Sequence, residues 1–229
     1  MKTIGLIGGT GWISTAEYYR IINEETHRRL GGLEFAQCIL YSLNYGDVDR
    51  CNQRDDREGI VKLLLEASGA LVGSGADCIV VCANTFHQFA EKLGRSTDVP
   101  LIHIAEAAAK ELKKKNLRKV GLLGTKQTME LDFYVSKLRQ AQIEVLTPER
   151  ADREFIQWTI TQELLLGDFR EESRRRFLDI MDGLHGRGAE GMVLACTEIP
   201  LFIKQEHTSL PLVDTLVAHA NAAVDFALA

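Results

Sequence analysis

The sequence predicts an α/β fold built as two similar doubly wound parallel-sheet lobes, and three observations carry that expectation. Short Val/Ile/Leu runs ending in Gly or Thr alternate with longer segments of helical period, the pattern of parallel strands joined by crossover helices. Of 229 residues, 45% are hydrophobic and 26% charged, which suits a globular core and excludes disordered and fibrous classes. The chain also echoes itself. The stretch 4-IGLIGG-9 returns as 120-VGLLGT-125, 73-GSGADCIVVCANT-85 as 186-GRGAEGMVLACTE-198, and 100-PLIHIAEA-107 as 211-PLVDTLVA-218. The offsets are 116, 113 at the turn glycines Gly75 and Gly188, and 111, in the same order along the chain. Tyr18 and Tyr134 extend the first match, so the sequence reads as two copies of one unit.

The elements follow in order. Strands are expected over 3–8, 35–42, 78–83, 100–104, 119–124, 143–147, 191–196 and 211–215. Helical period fills 14–30, where Ser14 and Glu17 have capping-box spacing, and 105–119, which runs from acidic to basic. Cations at the end of that helix suit its negative terminus and a solvated face rather than a nucleic-acid surface. The segment 170–184 reads as an amphipathic cover with its charged face outward. The first lobe is expected over 1–98 with 208–229 returning to it, and the second over 99–207. Facing each other about a pseudo-twofold axis, the lobes would enclose the active site in the cleft between them.

Composition narrows the function classes. A net charge of -5 gives no general attraction to nucleic acid or anionic membranes, so any anion binding must be local. The start, MKTIGLIGGTGW, is broken by glycines before a signal-peptide core can form, and no stretch reaches the roughly 18 apolar residues of a membrane helix. A cytoplasmic protein is expected, with its five cysteines (Cys38, Cys51, Cys78, Cys82 and Cys196) as reduced thiols. Metal catalysis finds no support: no two of the six histidines form an HxxxH pair, and Cys78 and Cys82 lack zinc-knuckle spacing. The glycine loop 8-GGTGWIST-15 matches neither GxGxxG nor GxxxxGK[ST], which leaves a substrate loop or a tight strand-to-helix turn.

In a doubly wound sheet, ligands bind beyond the carboxyl ends of the strands, where both Cys82 and Cys196 are expected. Counted from the turn glycines, Cys82 is seven residues on and Cys196 eight, so their equivalence requires a one-residue slip. A free thiol titrates near about 8.5, and a modest shift from a helix N-terminus would poise it between base and acid near neutral pH. One sulfur can then remove a proton from a carbon held between the two while the other supplies one, which inverts the carbon. Without an electron sink, the developing charge must spread into a carboxylate met by pre-aimed donors. Asn84, Thr85, Thr197, Glu198, Thr125 and Thr128 follow the strands and offer such donors. His103 and Asp214, at matching places, either tune the thiols, orient the loops or cap helices, and Glu198 either assists proton transfer or caps its helix. A decarboxylase using one thiol to protonate a carbanion, and a ligand-binding module without catalysis, are the competing classes.

The motifs 5-GLIGGTGWIST-15, 81-VCANT-85, 101-LIHIAE-106, 122-LLGTKQTME-130, 161-TQELLLGDF-169 and 195-ACTEIP-200 together resemble the aspartate/glutamate racemase family, from end to end of the chain. The resemblance implies two α/β lobes, commonly a homodimer, no cofactor, an amino-acid substrate, and Cys82 and Cys196 as an acid/base pair. It implies that Asn84, Thr85 and Thr197, with Ala83, Thr125 and Glu198 beside them, hold the α-carboxylate and amino group. Thr10 and Gly11 stand where many relatives read GGMSW, altering a loop that lines the side-chain pocket. The segment 48-VDRCNQRDDR-57, with Arg50, Asn52, Gln53 and Arg54, is expected to approach a distal carboxylate. Aspartate, glutamate and a broad range of amino acids are all compatible with these residues.

Overall fold

Eight strands alternate with eleven α-helices in the structure, a computed structural model that describes residues 1–229. In order they are β1 (Ile4–Gly8), α1 (Trp12–Leu30), β2 (Cys38–Ser42), α2 (Tyr45–Gln53), α3 (Arg57–Gly73), β3 (Cys78–Val81), α4 (Ala90–Arg95), β4 (Leu101–Ile102) and α5 (Ile104–Lys114). There follow β5 (Lys119–Gly124), α6 (Lys126–Glu130), α7 (Asp132–Gln140), β6 (Glu144–Leu146), α8 (Arg150–Gln162), α9 (Glu171–Gly186), β7 (Gly191–Ala195), α10 (Ile199–Phe202), β8 (Leu212–Asp214) and α11 (Thr215–Leu228). All eight expected strands are present, several shortened at their ends.

The strands form two four-stranded sheets, ordered β2-β1-β3-β4 and β6-β5-β7-β8, with every pairing parallel. Each is doubly wound, with its order reversing between the first and third strand of the set. The duplication extends to single hydrogen bonds. In the first sheet, Thr3 N–H donates to Asp77 Oδ2 (2.6 Å) and Asp77 N–H to Thr3 O (2.8 Å). In the second, Arg118 N–H donates to Glu190 Oε2 (2.6 Å) and Glu190 N–H to Lys119 O (2.7 Å). The turn glycines Gly75 and Gly188 hold φ of 92° and 97°, a region in which a side chain would be strained.

Burial follows from strand period. In β5 and β7, Val120, Leu122, Val193 and Ala195 enter one core cluster, while Leu123, Met192 and Leu194 enter another on the opposite face. Alternate residues point to opposite faces, so covering both faces with helices requires nearly continuous apolar strands. The long cover helix is α9, which buries Ser173, Phe177, Ile180, Met181 and Leu184 at helical spacing. Phe177 meets Phe202 edge-on at 5.6 Å, and truncating so buried a ring to alanine costs about 3–5 kcal/mol. The first unit has its own core, from Ile7 and Leu43 through Leu64, Ile79 and Phe86.

By internal contacts the units are Met1–His103 with His219–Ala229, and Ile104–Ala218, where the sequence reading placed the divisions after 98 and 207. The reason is strand pairing: β4 is hydrogen-bonded to β3, and β8 to β7. One local expectation is corrected. Helix α1 begins at Trp12 with Gly11 at its N-cap, two residues before Ser14, so no capping box forms. Ser14 Oγ instead donates back to Gly11 O (2.9 Å), and Glu17 pairs with Arg20.

Candidate active site

In the first unit the candidate residues gather where β1 and β3 end side by side. The chain leaves β1 through Gly9, whose φ is +86° and whose added Cβ would lie 2.1 Å from Leu43 O, so glycine is required. Gly9 N–H donates to Thr15 Oγ1 (3.0 Å), and that hydroxyl donates to Gly11 O (2.9 Å), which pins the loop carrying half-buried Thr10. The chain leaves β3 at Cys82. Its N–H still donates to Ile7 O (2.9 Å), but Ala83 N–H turns back to Val81 O (2.8 Å), a three-residue turn centred on the cysteine. Buried Asn84 then accepts His87 N–H at its carbonyl (3.1 Å) and opens a 3₁₀ turn over Thr85–Phe89. Asn52 is exposed on α2, while Arg50 is paired with Asp47 and Gln53 donates to Asp49 (2.7 Å) on the same helix.

In the second unit the matching place lies between the ends of β5 and β7. Thr125 caps α6, its Oγ1 accepting from Thr128 N–H at 3.4 Å and lying 3.0 Å from Thr128 Oγ1. Cys196 immediately follows β7. Its Sγ donates to Glu198 Oε2 at 3.1 Å, and Thr197 Oγ1 donates to the same oxygen at 3.1 Å. All three residues are buried, and Glu198 makes no side-chain bond to the start of α10. The Glu198 carboxylate thus meets Cys196 and Thr197 and does not cap α10. Asp214 is a cap: its Oδ1 accepts from Leu216 N–H (2.8 Å) and Val217 N–H (3.3 Å), capping α11.

The one-residue slip between the cysteines is a feature of the sheets. Ile7 pairs with Val81, and its copy Leu123 pairs with Leu194. Ladder position therefore equates Cys82 with Ala195, and Cys196 with Ala83. The two thiols leave their sheets at different depths and on different turns.

The electrostatics correct the expectation that helix N-termini poise the thiols near neutrality. The elements that follow are a five-residue 3₁₀ turn and a four-residue helix, too short for much of a dipole. Burial dominates instead. It raises Cys82 well above the ordinary thiol value, with a small push from Cys38. It raises Cys196 likewise, reinforced by the negative charge of Glu198. Both thiols therefore rest protonated. Cys38 and Cys78 flank Ile4 on neighbouring strands and are pushed up to about 11 and about 12 by burial, which suits inert packing.

Sequence reasoning singled out His103 but not the buried rings of His87 and His219 that gather beside it. His219 Nε2 lies 2.7 Å from Ile102 O and its Nδ1 2.8 Å from Tyr18 Oη. His87 Nδ1 lies 2.9 Å from Ala83 O, and the His87 ring packs 4.8 Å from that of His103 and 5.4 Å from that of His219. The signals available were the position of His87 five residues after Cys82 and the repeat of Tyr18 as Tyr134, but neither names a partner.

The sequence profile of Asp/Glu/Hydantoin racemases matches residues 7–223. Among solved structures, a Yersinia pestis protein assigned to the Asp/Glu racemases is 41% identical, covers 100% of both chains and superimposes with a TM-score of 0.92. An aspartate racemase homologue from Pyrococcus horikoshii is 33% identical over the full length of both chains, with a TM-score of 0.86. The broad specificity amino-acid racemase RacX of Bacillus subtilis (strain 168) is 21% identical over 99% of this chain and 98% of its own. A glutamate racemase from Aquifex pyrophilus is 30% identical over 65% of this chain, which spans 57% of that relative's length.

Proposed function

The chain belongs to the Asp/Glu/Hydantoin racemase family, and on that premise we propose that it inverts the α-carbon of aspartate or glutamate by a two-thiol mechanism without a cofactor. The observation that carries this reading is the placement of Cys82 and Cys196, each where a strand next to the sheet's switch point ends. One thiolate takes the α-proton and the opposite thiol donates to the other face of the carbanion. The bond broken is Cα–H and the bond formed is Cα–H of the mirror configuration, so atoms and charge balance. Asn84, Thr85 and Thr197, with Ala83 and Thr125, would hold the α-carboxylate and amino group, and Thr10 and Asn52 the side-chain end.

Burial keeps both thiols protonated, so the reaction needs a place to put one proton. The Glu198 carboxylate, 3.1 Å from Cys196 Sγ, supplies it. A thiolate forms by proton transfer inside the site rather than by loss to solvent. Full-length similarity to the broad specificity racemase RacX favours a second reading of the substrate, in which neutral amino acids also turn over.

The test is incubation with single enantiomers in deuterium oxide without pyridoxal phosphate. Cys82→Ser and Cys196→Ser should each abolish racemisation; full turnover in either would refute the two-base scheme and favour a single-thiol enzyme.

We also infer a cytosolic homodimer. None of the five cysteines forms a disulfide, and no helix is long and apolar enough to cross a membrane. Edge strand β2 and the segment before it expose Leu33 (90%), Phe35 (53%) and Leu40 (48%), an apolar surface suited to self-association.

A further inference from the structure

We propose that Tyr18, His219 and His87 form a positioning chain of rings that holds the Cys82 turn in its working geometry, and that only this thiol is served by it. The inference rests on the two-thiol reading above. Its geometry lies wholly within the first unit. A backbone carbonyl only accepts, so His219 Nε2 must carry a hydrogen to reach Ile102 O at 2.7 Å. A neutral ring then leaves Nδ1 as an acceptor, and Tyr18 Oη must be the donor at 2.8 Å. By the same logic His87 donates from Nδ1 to Ala83 O at 2.9 Å. Ala83 is the residue whose N–H closes the turn on Cys82, so His87 fixes the carbonyl of a peptide whose other end carries the thiol. The His87 ring is buried and wedged between those of His103 and His219, at 4.8 and 5.4 Å, and His219 is tethered at both nitrogens. Burial, with His87 beside it, pushes His219 down to about 3, so the tethers hold throughout the neutral range.

The second unit lacks this chain although it repeats the frame around it. Aligning 100-PLIHIAEAA-108 with 211-PLVDTLVAH-219 puts Ala108 where the first unit uses His219. Tyr134, the copy of Tyr18, is buried with no hydrogen-bond partner for its hydroxyl. Around Cys196 the polar group is Glu198, which touches the sulfur itself. One thiol is thus positioned through buried imidazoles, whereas the other is in direct contact with a carboxylate.

The asymmetry is measurable. Enantiomers are equal in free energy, so kcat/KM must be the same in both directions, but the α-deuterium isotope effect on each direction reports its own proton abstraction. In the full-length enzyme turning over aspartate or glutamate, His87→Leu should lower kcat about 10- to 100-fold with little change in KM. It should raise the isotope effect for one enantiomer only, the one Cys82 deprotonates. Glu198→Gln should raise it for the opposite enantiomer. His87→Asn, which keeps a donor for Ala83 O, should restore most of kcat, and Tyr134→Phe should leave both isotope effects as in wild type. Amide exchange over residues 82–87 gives a readout independent of turnover: faster in His87→Leu and in the milder Tyr18→Phe, and native in His87→Asn. Equal isotope effects in His87→Leu, or native exchange in both loosening variants, would overturn the proposal. A wild type that racemises neither substrate, or a Cys82→Ser enzyme that still does, would instead overturn the function.

Discussion

At the scale of single residues, the pair Cys196 and Glu198 makes the sharpest prediction. On the proposed mechanism the proton leaving sulfur moves to Glu198 Oε2, 3.1 Å away, so no proton need be exchanged with solvent to make the thiolate. Replacing Glu198 by Gln removes that acceptor. Cys196 keeps the part of its upward shift that comes from burial and loses the part that came from the carboxylate charge. Raising pH then increases the thiolate fraction tenfold per unit until the remaining shift is overcome. Glu198→Gln should therefore lower kcat/KM by about 100-fold at pH 7. Log(kcat/KM) should climb with roughly unit slope from about pH 7 to 9, while the wild type stays nearly flat. A pH profile of both enzymes decides it; parallel profiles would assign Glu198 a purely structural role.

Among elements, the two copies of the first crossover offer an internal control. Tyr18 in α1 donates to His219 in α11, whereas Tyr134 in α7 is equally buried with an unpartnered hydroxyl. Removing one member of a buried hydrogen bond costs about 1–3 kcal/mol, whereas removing an orphaned hydroxyl relieves a desolvation cost. Tyr18→Phe should lower the denaturation midpoint, and Tyr134→Phe should leave it unchanged or raise it. Urea denaturation of the two variants checks the contrast. The elements also show how far pattern reading reaches. Val/Ile/Leu runs marked all eight strands because a two-sided parallel sheet needs apolar residues at every position. The start of α1 was misplaced because Ser14 looks like a cap, yet Gly11 can take the extended N-cap conformation before it. The expected helix dipoles failed because the elements after the two thiols are only five and four residues long.

For the whole molecule, the exposed apolar residues along β2 bear on assembly. An edge strand with Leu40 outward and Leu33 and Phe35 beside it leaves unpaired backbone and apolar area in water. Sedimentation velocity should find a dimer at micromolar concentration, and Leu40→Lys should shift it toward monomer without unfolding it. A wild type that sediments as a monomer would remove the homodimer. The active-site proposal does not depend on that outcome, since every site residue named above belongs to one chain.

The sequence by itself determined the fold class and the duplication, because each is written in local order as strand period and repeated offsets, and it marked as candidates the two cysteines at the ends of apolar runs. It also carried the one-residue slip, visible when counted from Gly75 and Gly188. Only the tertiary structure decided what surrounds each sulfur. Glu198 turns toward Cys196 rather than toward a helix end, and His219 lies 137 residues beyond Cys82 yet is linked to its turn through His87. The direction of the thiol shifts was decided there too, since desolvation depends on how many distant side chains close over an atom, and no local pattern records that number.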